Sequence, residues 1–133
     1  MQNSDNSLIL TSFNNHLVEF LDDIQSLFAN DHAISYARNA LLVIKKANPK
    51  LIIKIWYNYI TVKYDEQIQN NNLDFFLEKD YQNDFNNMSS QKNEILQNIE
   101  RLKEPIKNMG QENQLKSIKY FQNLCLLSKL YHT

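Results

Sequence analysis

The chain has 133 residues, of which 43% are hydrophobic and 22% charged, and this is the size and balance of one globular domain. Its single Gly argues against sheet-rich folds and excludes a glycine-rich phosphate loop, because tight turns and phosphate cradles depend on Gly. Its single Cys excludes an internal disulfide and a multi-cysteine zinc site, and a net charge of -1 does not attract polyanions to the molecule as a whole.

The first residues, 1–7, are polar and are expected to be flexible. A long helix is predicted after them, because its apolar residues step by three and four positions and so share one face: Leu10, Phe13, Leu17, Phe20, Ile24 and Leu27. Residues 29–31 interrupt this pattern, and Asp31 is a suitable N-cap for a second helix over His32–Ala47. Pro49 then predicts a boundary, because the residue before a Pro disfavours the α conformation.

The third predicted helix, residues 50–64, is apolar around most of its circumference. A helix of this kind is normally the central one of a bundle, so we expect Trp56 to be largely buried. Its β-branched residues would also suit a strand, but the sequence offers no partner strand. The helix either continues or frays over residues 65–69, and a polar loop at residues 70–72 follows it.

The next segment is predicted to hold a short helix and a loop. The helix covers residues 73–81 and the loop residues 84–90. Ser89 or Ser90 is expected to cap a fifth helix, whose apolar face consists of Ile95, Ile99 and Leu102.

The end of the chain contains the second Pro and the single Gly. Pro105 must kink or restart its helix, because it lacks an N–H and clashes with the preceding turn. Gly110 is expected to terminate that helix at the C′ position. The last predicted helix, Gln111–Tyr131, is again apolar along one face. These elements predict an all-α fold, a compact bundle of five to six helices forming a single domain over residues 1–133.

Charges are distributed in blocks along the chain. Residues 1–31 contain five acids and no Lys or Arg, whereas residues 32–64 contain no acid and six bases. Residues 65–87 are again mostly acidic, and the remainder is mostly basic. The sequence therefore predicts a basic face around the junction of the second and third helices, with these candidate residues for a partner or phosphates: Arg38, Lys45, Lys46, Lys50, Lys54, Tyr57 and Lys63.

Two interpretations of the basic block stay open. It can bind an external partner, or the acidic first helix and the acidic segment at residues 65–84 can pack beside it and neutralise it internally. Domains that bind nucleic acid usually have a pI above about 9 and use Arg for bidentate contacts. This chain has an isoelectric point near 6.3 and only two Arg, so nucleic acid is the less favoured partner.

No residue pattern suggests catalysis, a metal or a cofactor. The chain has three His, at positions 16, 32 and 132, and none has the spacing of a zinc motif. His16 is expected to pack or to lie on the surface, and Cys125 to be a small buried hydrophobe. Adjacent acids such as Asp22 and Asp23 point about 100° apart on a helix and form no catalytic dyad. We therefore expect a protein that is not an enzyme and has no cofactor.

Five stretches carry a resemblance to a known family: FNNHLVEFLDDIQSLF, ANPKLIIKIWYNYITVKYDEQI, DFFLEKDY, IERLKEPIKNM and YFQNLCLLSKLY. They lie between Phe13 and Tyr131, and they resemble small proteins of large double-stranded-DNA (giant) viruses of algae and protists, a family without an assigned activity. The resemblance implies a place in the host cytoplasm, a viral factory or a virion. The N-terminus lacks a signal-peptide pattern and no apolar run approaches the roughly 20 residues of a membrane helix, so neither secretion nor membrane insertion is expected.

These observations predict a non-enzymatic helical interaction or structural protein of a giant virus. Its expected partner is a viral or host protein, or a second copy of the chain in a homo-oligomer. The alternative is a nucleic-acid-associated accessory factor that uses the basic face at residues 38–63.

Overall fold

The N-terminal half of the chain begins with two antiparallel helices. The computed structural model describes residues 2–78 and 90–133, and its first helices are α1, Gln2–Leu27, and α2, His32–Ala47. Asp31 caps α2 as predicted, because its Oδ1 accepts hydrogen bonds from the backbone N–H groups of Ala33 at 2.9 Å and Ile34 at 3.3 Å. Helix α1 begins at Gln2. The flexibility expected for residues 1–7 stays a prediction.

The central element is one continuous rod with a π-helical turn in its middle. It consists of α3, Leu51–Trp56, the π-turn Tyr57–Thr61, and α4, Val62–Gln69. The extra residue of a π-turn shifts the phase of the residues that follow it by about 100°, and buried positions then continue along the rod through Thr61, Tyr64 and Ile68. Asn71 in the loop after α4 has a φ of 64°, a left-handed conformation that Asn tolerates better than most residues.

Two short and two long helices complete the bundle. They are α5, Asp74–Glu78; α6, Ser90–Arg101; α7, Lys103–Lys107; and α8, Gln111–Tyr131. The break between α6 and α7 confirms that Pro105 restarts its helix, since it lies in the first turn of α7, where its missing N–H costs little. The predictions for residues 79–81 and 84–89 lie outside the described residues.

The expectation for Gly110 is wrong. Its φ of -64° and ψ of 160° are extended, so it is not a left-handed C′ residue. Gly110 instead occupies the N-cap of α8, a position that Gly also favours. The chain between α7 and α8 therefore turns without a positive φ.

The core lies where the central rod meets α1, α2, α6 and α8. Trp56 is 1% exposed, and its ring lies edge-on to Phe13, with centroids 6.1 Å apart, and tilted against Phe121 at 5.3 Å. This confirms both the burial of Trp56 and the central place of the third predicted helix. The part of the chain that the structure describes contains no strand, so the all-α bundle is confirmed, with five main helices and two short ones in the described ranges.

Candidate functional site

Four of the predicted site residues flank the short connection between α2 and α3. Lys45 and Lys46 lie in the last turn of α2, Lys50 is the N-cap residue of α3, and Lys54 lies one turn further on. Asn14 of α1 fixes the connection, because its Nδ2 donates a 3.0 Å hydrogen bond to the carbonyl of Pro49. We call Lys45, Lys46, Lys50 and Lys54 the lysine corner.

The other three predicted residues are engaged elsewhere. Arg38 lies two turns before Lys45 on α2, and its Nε donates to Asp22 Oδ1 of α1 at 2.7 Å. The ring of Tyr57 stacks on His132, with centroids 4.1 Å apart and planes 8° apart. Lys63 also has contacts of its own, with its Nζ 5.7 Å from the centre of the Tyr59 ring. The four residues of the lysine corner are therefore the part of the basic face that is left to bind a partner.

The acidic residues that the structure describes do not neutralise the lysine corner. Within residues 2–78 and 90–133, no carboxylate lies in ion-pair distance of any of its four lysines, and the acids pair with other bases. The pairs that form between the acidic blocks and Lys or Arg elsewhere in the described residues include Asp22–Arg38, Glu78–Lys107 and Asp65–Lys129. Arg38 is thus neutralised by an internal ion pair, whereas no acid in residues 2–78 and 90–133 neutralises the lysine corner.

A second candidate is a groove between α1 and α8. The two helices are antiparallel, and together they line it with residues that are distant in sequence: His16, Glu19, Asp23, Lys116, Lys119, Tyr120 and Asn123. Tyr120 crosses the groove, because its hydroxyl donates a 2.8 Å hydrogen bond to Asp23 Oδ2 while its ring packs against Phe20 at 5.2 Å. Burial and the Asp23 carboxylate raise the pKa of Tyr120 to about 12. We call this surface the α1–α8 groove.

His16 is half-buried in this groove. Its ring lies 4.7 Å from the ring of Tyr120, its Nδ1 is 3.8 Å from Glu19 Oε2, and its Nε2 is 3.4 Å from the amide nitrogen of Asn123. Burial lowers the pKa of His16, and the nearby Glu19 offsets part of this effect. A neutral ring with its proton on Nδ1 suits both neighbours, since Nδ1 then faces the carboxylate and Nε2 can accept from the amide.

The groove deepens at one end into a cavity of about 130 Å³. Four apolar side chains form much of its lining, namely Phe20, Ile24, Leu27 and Met109. Its polar lining includes Asp23, Lys116 and Ser117. The hydroxyl of Ser117 already donates to the Asn113 carbonyl at 3.1 Å. The cavity is half-open, and its lining combines these apolar side chains with polar ones, among them the oppositely charged Asp23 and Lys116.

Cys125 lies in the core and does not form a reactive site. Burial raises the pKa of its thiol to about 11, although Thr61 and Trp56 act in the opposite direction. Its carbonyl accepts a 2.8 Å hydrogen bond from Ser128, whose Oγ is also 2.6 Å from the Thr61 hydroxyl. A nucleophilic cysteine needs a stabilised and accessible thiolate, and this environment provides neither.

The sequence predicted the lysine corner but not the α1–α8 groove. On α1, the spacing of His16, Glu19 and Asp23 already places them on one side of the helix. On α8, Lys116, Tyr120 and Asn123 have the same kind of spacing. The sequence does not show how α1 and α8 are shifted along each other. Only the packing of the folded core determines this register.

Comparisons of the chain with protein-family models, with curated proteins and with solved structures find no match. The viral family suggested by the five stretches stays a prediction. Among the helices of the described ranges, none is long and apolar enough to cross a membrane. In the same ranges, no three His, Cys, Asp or Glu side chains converge in the manner of metal ligands.

Proposed function

We propose that this chain is a non-enzymatic helical protein that acts by binding another protein, and that the lysine corner receives an acidic segment of that partner. The partner is a viral or host protein, or a second copy of the chain. The observation that carries the proposal is that four lysines flank one short connection without a carboxylate partner in the described part of the chain. An acidic partner would supply the missing carboxylates.

The helix dipole stabilises only two of the four lysines of the lysine corner. Lys45 and Lys46 lie in the last turn of α2, where a positive charge interacts favourably with the helix dipole. Lys50 is the N-cap residue of α3, whose first turn contains no acid, and there a positive charge is unfavourable by a few tenths of a kcal/mol. A local cost without an internal compensation is typical of residues retained for binding.

The engaged residues favour a protein partner over nucleic acid. Arg is the best residue for bidentate contacts to phosphate and base edges, and the only Arg of the basic block, Arg38, is paired with Asp22. Aromatic rings that bind single strands must be free to stack on bases, and Tyr57 already stacks on His132. What remains is a set of lysines, which recognise charge without a fixed geometry.

A charge-neutralisation experiment tests the proposal. The variant Lys50→Gln/Lys54→Gln removes two charges from exposed helix positions, so it should fold normally. Its binding to a short Glu-rich peptide should fall at least about fivefold relative to the unchanged chain, because each lost ion contact weakens binding. Fluorescence anisotropy of a labelled peptide measures the affinity.

The matched control changes two lysines on another helix. Lys116→Gln/Lys119→Gln alters the net charge by the same amount, and both positions are exposed on α8. This control should bind the peptide within about twofold of the unchanged chain. Equal losses in both variants would show that only net charge matters, and the lysine corner would then not be the binding site.

A nucleic-acid accessory role through the basic face at residues 38–63 is the second candidate, favoured by the same four unpaired lysines. If they engage four phosphates, affinity for a DNA duplex must fall on the order of 10²-fold between about 50 and 200 mM salt. We expect no duplex binding tighter than the nonspecific range of roughly 10⁻⁴–10⁻⁶ M at physiological salt. Submicromolar, salt-sensitive binding that is lost in Lys50→Gln/Lys54→Gln would establish the second candidate instead.

A further inference from the structure

We propose that the cavity at the end of the α1–α8 groove binds a free aliphatic α-amino acid, with its side chain inside the cavity, its ammonium group on Asp23 and its carboxylate on Lys116. This site is separate from the lysine corner, and the inference does not depend on the proposed function. It follows from three properties of the cavity: its charges, its apolar lining and its size.

The charges at the cavity mouth are opposite and do not neutralise each other. Asp23 and Lys116 both line the cavity, yet they form no ion pair with each other, and Lys116 has no partner in the parts of the chain that the structure describes. Asp23 accepts one hydrogen bond through Oδ2, from Tyr120, which leaves Oδ1 available. A ligand that carries both an ammonium and a carboxylate group satisfies both residues at once.

A ligand with only one charge fits this mouth less well. A simple anion that approaches Lys116 also meets Glu19 and Asp23, the two carboxylates on the α1 side of the groove. A simple cation that approaches Asp23 meets Lys116, which lines the same cavity. Like charges brought together in this way are destabilising, so the groove selects a zwitterion.

The interior of the cavity determines the side chain of the ligand. Phe20, Ile24, Leu27 and Met109 offer apolar contacts, which favour burial of a hydrocarbon group. The volume is about 130 Å³, and a cavity of about 150 Å³ in another protein accommodates benzene. A branched group of about four carbons therefore fits. Leucine and isoleucine have side chains of this size.

Tyr120 acts as a positioning residue for this site. Its hydroxyl holds the Asp23 carboxylate at 2.8 Å, and its ring is fixed between His16 and Phe20. Loss of the hydroxyl in Tyr120→Phe frees the Asp23 side chain to rotate, and we expect weaker binding of the amino acid without a loss of the fold.

Titration of the full chain with leucine, followed by two-dimensional amide NMR, tests the inference. We expect saturable shift changes concentrated at residues 20–27 and 109–120. Glycine lacks the side chain, 4-methylpentanoate lacks the ammonium group and leucinamide lacks the carboxylate, so each should bind at least about tenfold more weakly than leucine.

Two variants and a matched control locate the charges. Lys116→Gln and Asp23→Asn should each weaken leucine binding about tenfold, because each removes one of the two ion contacts. Lys119 lies three residues from Lys116 on the same helix but does not line the cavity. The control variant Lys119→Gln should therefore keep the affinity for leucine within about twofold of the unchanged chain. Circular dichroism confirms that all three variants keep their helix content.

Several outcomes would overturn the inference. Absence of saturable shifts with leucine at millimolar concentrations would exclude the site. Glycine binding as tightly as leucine would show that the apolar side chains of the lining do not contribute to binding. Binding of 4-methylpentanoate or leucinamide as tight as that of leucine would show a site for a single charge. Equal losses of leucine affinity in Lys119→Gln and Lys116→Gln would show that only the net charge of α8 matters and that Lys116 does not contact the ligand.

Discussion

Replacement of Trp56 tests whether the central rod is the core of this fold. The side chain is 1% exposed and contacts the rings of Phe13 and Phe121. Truncation of a buried Trp to Ala costs about 3–5 kcal/mol, from lost burial and from the void that remains. Trp56→Ala should therefore lose a large part of the roughly 5–15 kcal/mol by which a domain of this kind is stable.

Trp56→Phe should be much milder, because it keeps an aromatic ring in the core. Nε1 of Trp56 is buried and has no partner within ordinary hydrogen-bond geometry, and its weak contact with the Cys125 thiol lowers that group's pKa. A change to Phe leaves a void of about 40 Å³, which costs about 1 kcal/mol, and it removes no strong hydrogen bond. We expect Trp56→Phe to lie within about 1 kcal/mol of the unchanged protein.

Urea denaturation followed by far-ultraviolet circular dichroism measures these differences without depending on the Trp signal. Val62→Ala, at a position that is 63% exposed on the same rod, is the matched control and should change the free energy of unfolding by less than about 0.5 kcal/mol. The reasoning would be refuted by a Trp56→Ala variant that loses less than about 1 kcal/mol, or by equal losses in Trp56→Ala and Trp56→Phe.

Three further predictions concern titratable groups. Cys125 should not react with a thiol reagent in the folded protein at neutral pH and should react at once in denaturant, because burial raises the pKa of its thiol to about 11; rapid labelling of the folded chain would contradict this. The pKa of Tyr120 rises from 10.0 to about 12, so its contribution to stability should be complete below pH 10.0 and be lost as the pH rises toward 12; a phenolate absorbance step near pH 12, absent in Tyr120→Phe, identifies the group. Burial lowers the pKa of His16 below 6.5, so its contribution should be present above pH 6.5 and be lost as the pH falls through the folded value; ring-proton NMR that places the His16 midpoint above 6.5 would exclude this.

Local patterns were enough to predict most of the helices. Apolar residues at steps of three and four place the buried face of α1, and the side chain of Asp31 satisfies the free N–H groups at the start of α2. Pro105 restarts its helix through its own ring and its missing N–H. These signals act within a few residues along the chain, so they can be recognised without the tertiary structure. Gly110 shows their limit, because Gly suits both the end of one helix and the start of the next.

The part of the candidate site that the sequence predicted is also local. Lys45, Lys46, Lys50 and Lys54 lie on either side of one short connection, so any helical arrangement of this segment brings them near each other. Whether they stay unpaired is not a local property. Arg38 has the same charge and lies on the same helix, yet it is neutralised because α1 places Asp22 beside it.

The α1–α8 groove and its cavity depend on the tertiary structure alone. Tyr120 and Asp23 are separated by 97 positions, and their contact requires one register between two antiparallel helices. That register is set by the packing of the core, in which the rings of Phe20 and Phe121 meet at 5.3 Å. Helix periodicity determines which face of each helix is buried, but it does not determine how far one helix is shifted along another, because many shifts bury the same apolar faces. The sequence by itself therefore determined the helices and the charge of one corner, and the close packing of their side chains decided which distant polar groups meet.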